Sequence, residues 1–90
     1  MPTYTFIMDY AGGTYISQVK APSPKIAFVK GAQQLNPSLV THLGAKTKES
    51  LVDQLKSDEP VPLDVVRNVW CETALIRGKL VLINLVQTEI

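Results

Sequence analysis

Cys71 and His42 are the only cysteine and the only histidine in the chain. They are therefore its sole material for a thiol nucleophile with an imidazole base. A reactive thiol needs a neighbouring cation and partial exposure, and nothing in the local sequence supplies either. Cys71 reads instead as a small apolar residue on a strand. A structural zinc site needs three or four Cys and His ligands at characteristic spacing, so one of each excludes it. Carboxylates form a second set: Asp58, Glu59 and Asp64 cluster, but among the prolines Pro60 and Pro62, in a segment that resembles a solvated linker. Gly78-Lys79 lacks the upstream glycine of a phosphate loop, and Leu80 stands where that motif needs a hydroxyl. Gly12-Gly13 lies between two strand-like runs, whereas a dinucleotide fingerprint joins a strand to a helix. Tyr4, Phe6, Tyr10 and Tyr15 have the makings of a base-stacking platform, yet no Arg or Lys is interleaved on their face, so core packing is the better reading. No catalytic, cofactor-binding or metal-binding residue is identified. An enzyme would need at least two of His42, Cys71, Glu72 and the Asp58/Glu59 pair to converge in one concave pocket.

Glu72 and Asn84 stand out by position. Glu72 sits between Trp70 and Ala74 on an apolar face, opposite or diagonal to Leu85. A buried carboxylate is costly unless paired, and often marks function. A salt bridge to Arg67 or Arg77 is the structural alternative. Asn84 is its counterpart on the other face, where a buried amide can fix the register of an interface.

The elements that position these residues follow from periodicity. Two runs rich in β-formers, Tyr4 to Tyr10 and Thr14 to Lys20, flank Gly12-Gly13 and predict a hairpin, with the glycine pair as its two-residue loop. Tyr4, Phe6, Met8, Tyr10, Tyr15 and Val19 then share an apolar face, and Tyr10 faces Tyr15. Ser23-Pro24 opens a helix with Phe28, Val29, Ala32 and Leu35 on one side, and Asn36-Pro37 ends it. Pro37 to Gly44 is either a helical turn or a loop with apolar pegs. Thr47 caps a second helix carrying Leu51, Val52 and Leu55. Ser57 to Pro62 breaks the chain.

Val69 to Ile76 and Leu80 to Gln87 predict a second hairpin around Gly78. Cys71, Thr73, Leu75, Leu80, Leu82, Asn84 and Val86 share one side of it. Trp70, Glu72, Ala74, Ile76, Val81, Ile83 and Leu85 share the other. Both sides are dominantly apolar, so both require cover. The expected fold is α+β: a four-stranded antiparallel sheet of two hairpins, about 3–20 and 69–88, with two or three short helices packed on one face. Residues 1–90 form a single domain. Helices this short cover one face well and two badly. A second copy of the chain is the simplest cover for the other face, because a two-fold interface needs one self-complementary patch; the alternative is that the Pro37 to Gly44 segment folds across it. The interface candidates are Trp70, Glu72, Ile76, Val81, Ile83, Asn84 and Leu85.

Composition sets the outer bounds. One cysteine rules out an internal disulfide and suits a reducing compartment. The longest apolar run, Leu80 to Val86, is far short of a membrane span. No leader-like pattern opens the chain, so a cytoplasmic protein is expected. Nine basic residues against eight acidic ones give a net charge of +1, which supplies no sign of a nucleic-acid surface.

The opening hairpin and helix, with the run Gly12-Gly13-Thr14-Tyr15-Ile16-Ser17 in its second strand, resembles the start of the HicB-type antitoxins, which are small partners of ribonuclease toxins. The family's downstream proline and glycine-cysteine pattern is absent: Val19-Lys20-Ala21-Pro22 runs straight into the helix. The resemblance implies a regulator that binds a toxin or nucleic acid, and this is the alternative to the reading the residues favour. That reading is a non-enzymatic interaction protein, a homo-oligomer and most simply a dimer, associating through its C-terminal hairpin and open to a further protein partner.

Overall fold

The computed structural model describes residues 1–40, 43–63 and 66–89. Strands β1 (Thr3–Tyr10) and β2 (Gly13–Lys20) form the first hairpin. Its loop is Ala11-Gly12, with φ of 49° and 82°, as a primed two-residue turn requires. The glycine pair is thus split: Gly12 turns and Gly13 begins the strand. Tyr10 pairs with Gly13, Met8 with Tyr15, and Tyr4 with Val19, two residues off the register expected from a Gly12-Gly13 loop. The cause is steric. The Tyr15 ring lies over Gly13, where any Cβ would collide with it. A slip of two residues preserves the alternation of faces, so the expected apolar side stands.

Helix α1 (Pro24–Gln33) begins where Ser23-Pro24 predicts: Ser23 Oγ accepts from Ile26 N at 3.3 Å, and Pro24 occupies the first turn, where its missing N–H costs nothing. It stops short of Asn36-Pro37, and Asn36 Oδ1 accepts from Ser38 N and Oγ in a small turn of its own. In the segment from Pro37 to Gly44, Val40 and Leu43 are buried pegs while Leu39 points outward, 75% exposed. Helix α2 (Ala45–Ser57) has Gly44 as its N-cap, not Thr47. Thr47 is buried in its first turn, level with Leu51, Val52 and Leu55.

Strands β3 (Val61–Pro62), β4 (Val69–Ile76) and β5 (Lys79–Glu89) complete one antiparallel sheet in the order β2-β1-β5-β4-β3. The sheet therefore has five strands rather than four. The segment expected only to break the chain does end α2, but it then lays Val61 and Pro62 beside Cys71 and Trp70. Proline is tolerated there because the strand is at the edge. The β4–β5 loop is Arg77-Gly78, with φ of 51° and 75°. β1 joins the two hairpins by pairing with β5.

Both helices lie on one face. Phe28 and Ala32 of α1, and Leu51 and Leu55 of α2, close over Phe6, Met8, Val81, Ile83 and Leu85, all of them fully buried or nearly so. Gly31 sits directly on the Phe6 ring, which occupies the space of a missing side chain. Close approach of α1 to the sheet is the reason for glycine at that helical position.

Candidate functional site

The second face of the sheet has no layer over it among the described residues. Register places Ile16, Ile7, Asn84, Cys71 and Val61 in one row of directly opposed residues across all five strands. A parallel row holds Gln18, Thr5, Val86 and Val69, and another holds Thr14, Asp9, Leu82 and Thr73. Leu75 faces Leu80 at the hairpin end. Ile16 is 67% exposed, and Leu75 and Leu80 are each 62% exposed. Polar groups on this face serve one another: Thr14 Oγ1 donates to Asp9 Oδ1 at 2.6 Å, and Gln18 Nε2 donates to Thr5 Oγ1 at 3.2 Å. What remains is an apolar stripe with Asn84, half-buried, at its centre.

The seven interface candidates do not form one surface. Val81, Ile83 and Leu85 are fully buried beneath the helices, Ile76 and Glu72 nearly so. Trp70 packs on the same side, edge-on to Tyr4 with ring centroids 5.9 Å apart. Ile76, Val81, Ile83 and Leu85 belong to the core, Trp70 is half-buried against it, and Glu72 is buried on the same side. Only Asn84 lies on the uncovered face. Sequence established which residues share a side, and the helices chose the side with more bulk.

The carboxylates converge elsewhere. Asp58, Glu59, Val61, Leu63, Cys71, Glu72 and Thr73 line a cleft of about 420 Å³ at the outer edge of β4, where residues of both faces meet. Glu72 is only 5% exposed, and its Oε2 is buried without a hydrogen-bond partner. Neither Arg67 nor Arg77 bridges to it: the ion pair formed here is Lys25 Nζ to Glu59 Oε1 at 2.8 Å, between two exposed groups. Burial, reinforced by the charge of Asp58, pushes the Glu72 carboxyl up to about 7; Lys25 pulls it back and Glu59 adds a smaller push.

The edge of β4 itself is only partly clothed. Leu63 N donates to Val69 O at 3.1 Å. Further along, the Gln54 side chain imitates a neighbouring strand, donating to Leu75 O at 3.0 Å and accepting from Leu75 N at 3.2 Å. Alternate residues of β4 therefore turn their backbone groups outward. β3 reaches no further along β4 than Cys71, so the peptide edge of Thr73 opens into the cleft.

This convergence brings together Asp58, Glu59, Cys71 and Glu72 of the enzyme raw material, but not in an acid–base arrangement. Cys71 and Glu72 are successive strand residues and point to opposite faces. His42 and Asp64 lie outside the described residues. No group of three His, Cys, Asp or Glu side chains among the described residues is placed to hold a metal ion. No helix among them is long and apolar enough to cross a membrane. Comparison with known protein families, curated proteins and solved structures finds no match to this chain.

Proposed function

We propose that the protein is a non-enzymatic interaction module that pairs with a second copy of itself through the uncovered sheet face. The observation that supports this is the central row from Ile16 to Val61, apolar except for Asn84 and Cys71, on a face whose flanking polar groups already bond to one another. Stacking two such faces removes apolar area from water, and the Thr14–Asp9 and Gln18–Thr5 bonds lower the cost of covering those groups. Strand rise and spacing give five strands of this length a plane of roughly 600 Å². Side chains standing off that plane bring the accessible area toward the roughly 800 Å² that each partner contributes to an interface of ordinary size. Among the described side chains this face carries one acidic and one basic residue, Asp9 and Lys20, so these do not set up a net repulsion between copies. A two-fold axis through Asn84 sets the two amides against each other and fixes the register.

Sedimentation equilibrium between 1 and 100 μM tests the reading. A dimer that the Ile16→Lys variant converts to a monomer, with an unchanged circular-dichroism spectrum, is the expected result. A wild-type chain that stays monomeric throughout that range overturns it.

A further inference from the structure

We propose that the cleft at the outer edge of β4 is a binding site for an alkylammonium group, with the carboxylate of Glu72 as its buried anchor. The inference does not require self-association: Glu72 points to the helix-covered side of the sheet, although the cleft shares Val61, Cys71 and Thr73 with the uncovered face. It starts from an unsatisfied group. Glu72 lines the cleft and its Oε2 is buried without a partner, and a buried acceptor left without a donor is expensive. The chain's own cation at this place is already committed: Lys25 pairs with Glu59 on the rim. Among the described residues three carboxylates, Asp58, Glu59 and Glu72, therefore face one ammonium, and the cleft holds room for a second.

The walls define the rest of the ligand. Val61 and Leu63 are apolar and exposed on the cleft side, suited to an aliphatic stem whose charged head reaches inward. Among the described residues the carboxylates here are not placed together as metal ligands, whereas a metal ion takes several oxygen ligands at once. An ammonium needs only one strong acceptor and a favourable field, and a charge-assisted bond to a buried carboxylate supplies the first. The outward backbone of Thr73 beside it adds a donor and an acceptor for a peptide group, so the alkylammonium is either a free amine or the side chain of a lysine in an extended segment.

The test is NMR titration of ¹³C-labelled Glu72 in the intact chain. Three probes are added separately: n-butylammonium, 1,4-diaminobutane, and N-acetyl-lysine N-methylamide. The expected result is a saturable shift of the Glu72 carboxyl carbon with at least one probe. Glu72→Gln, followed through the Cys71 and Thr73 amides, should weaken binding more than about tenfold, the scale of one charge-assisted bond. Glu59→Gln, on the rim, should weaken it only a few-fold. Tighter binding of the lysine diamide than of the two plain amines identifies a peptide source, and the reverse a free amine. No saturable response to any probe at 50 mM overturns the proposal, as does binding that Glu72→Gln leaves unchanged.

Discussion

Glu72 is the residue whose environment departs furthest from what its chemistry prefers. An ordinary glutamate titrates near 4.5, and here burial raises that to about 7. The unfolded chain keeps the ordinary value, so between roughly pH 4.5 and 7 the folded protein binds the extra proton. Stability therefore falls as pH rises through that window and levels off above it. At 1.36 kcal/mol per pKa unit the full effect is on the order of 3 kcal/mol. Thermal melts between pH 4.5 and 8.5 should show the melting temperature declining toward neutrality. Glu72→Gln should flatten the decline and raise the melting temperature at pH 8. A wild-type profile that rises over the same interval would contradict the buried, unpaired carboxylate. The sequence revealed half of this. Glu72 between Trp70 and Ala74 was legible as a carboxylate on an apolar face, because strand alternation fixes sides. Its missing partner was not legible, because whether Arg67 and Arg77 reach it depends on three-dimensional direction. Arg77 is spent on the turn, and the chain from α2 instead delivers Asp58 and Glu59 beside it. No local pattern announces that.

At the scale of elements, the first hairpin carries a correctable strain. Ala11 holds φ of 49° at the first position of its turn, a conformation that costs an L-residue with a Cβ roughly 1 kcal/mol and that Asn tolerates better. Ala11→Asn creates the Asn-Gly pair that such turns favour, and should stabilise the protein by about 0.5–1 kcal/mol, read as a higher midpoint in urea with an unchanged slope. A lower midpoint would mean that Ala11, itself packed against the core, contributes more there than its backbone costs. The same turn shows how far the sequence could be read. Gly12-Gly13 marked the hairpin, but which glycine turns depends on Tyr15 needing bare backbone beneath its ring. Ser23-Pro24 placed α1 correctly because both signals are local. Thr47 misplaced the start of α2, since its apolar methyl and its level with Leu51 favour burial over capping. β3 escaped notice because two residues carry no period, and only β4's need for an edge partner makes Val61–Pro62 a strand.

The molecule as a whole is a two-layer structure, one layer of helix on one layer of sheet, with the third side left to whatever the sheet meets. A chain of this size buries only about two thirds of its unfolded surface, so its margin is thin and a second layer over Ile16, Leu75 and Leu80 would enlarge it. The sheet is guarded against edge-to-edge growth on the β4 side by the proline of β3 and by Gln54. Between these guards the Thr73 peptide alone of the described β4 edge lies open, too short a stretch to pair a strand of a second copy, so face-to-face stacking is the self-association this half of the sheet favours. If stacking forms a dimer whose folding and association are coupled, stability follows mass action. For a domain of this length, tenfold more protein should then raise the melting temperature by roughly 3 °C. Calorimetry at 10 and 100 μM measures this directly. Ile16→Lys should abolish the concentration dependence while leaving a cooperative transition, because Ile16 lies outside the core that α1 and α2 close. A wild-type melting temperature that is the same at both concentrations would show that the exposed stripe adds nothing to the fold through a partner.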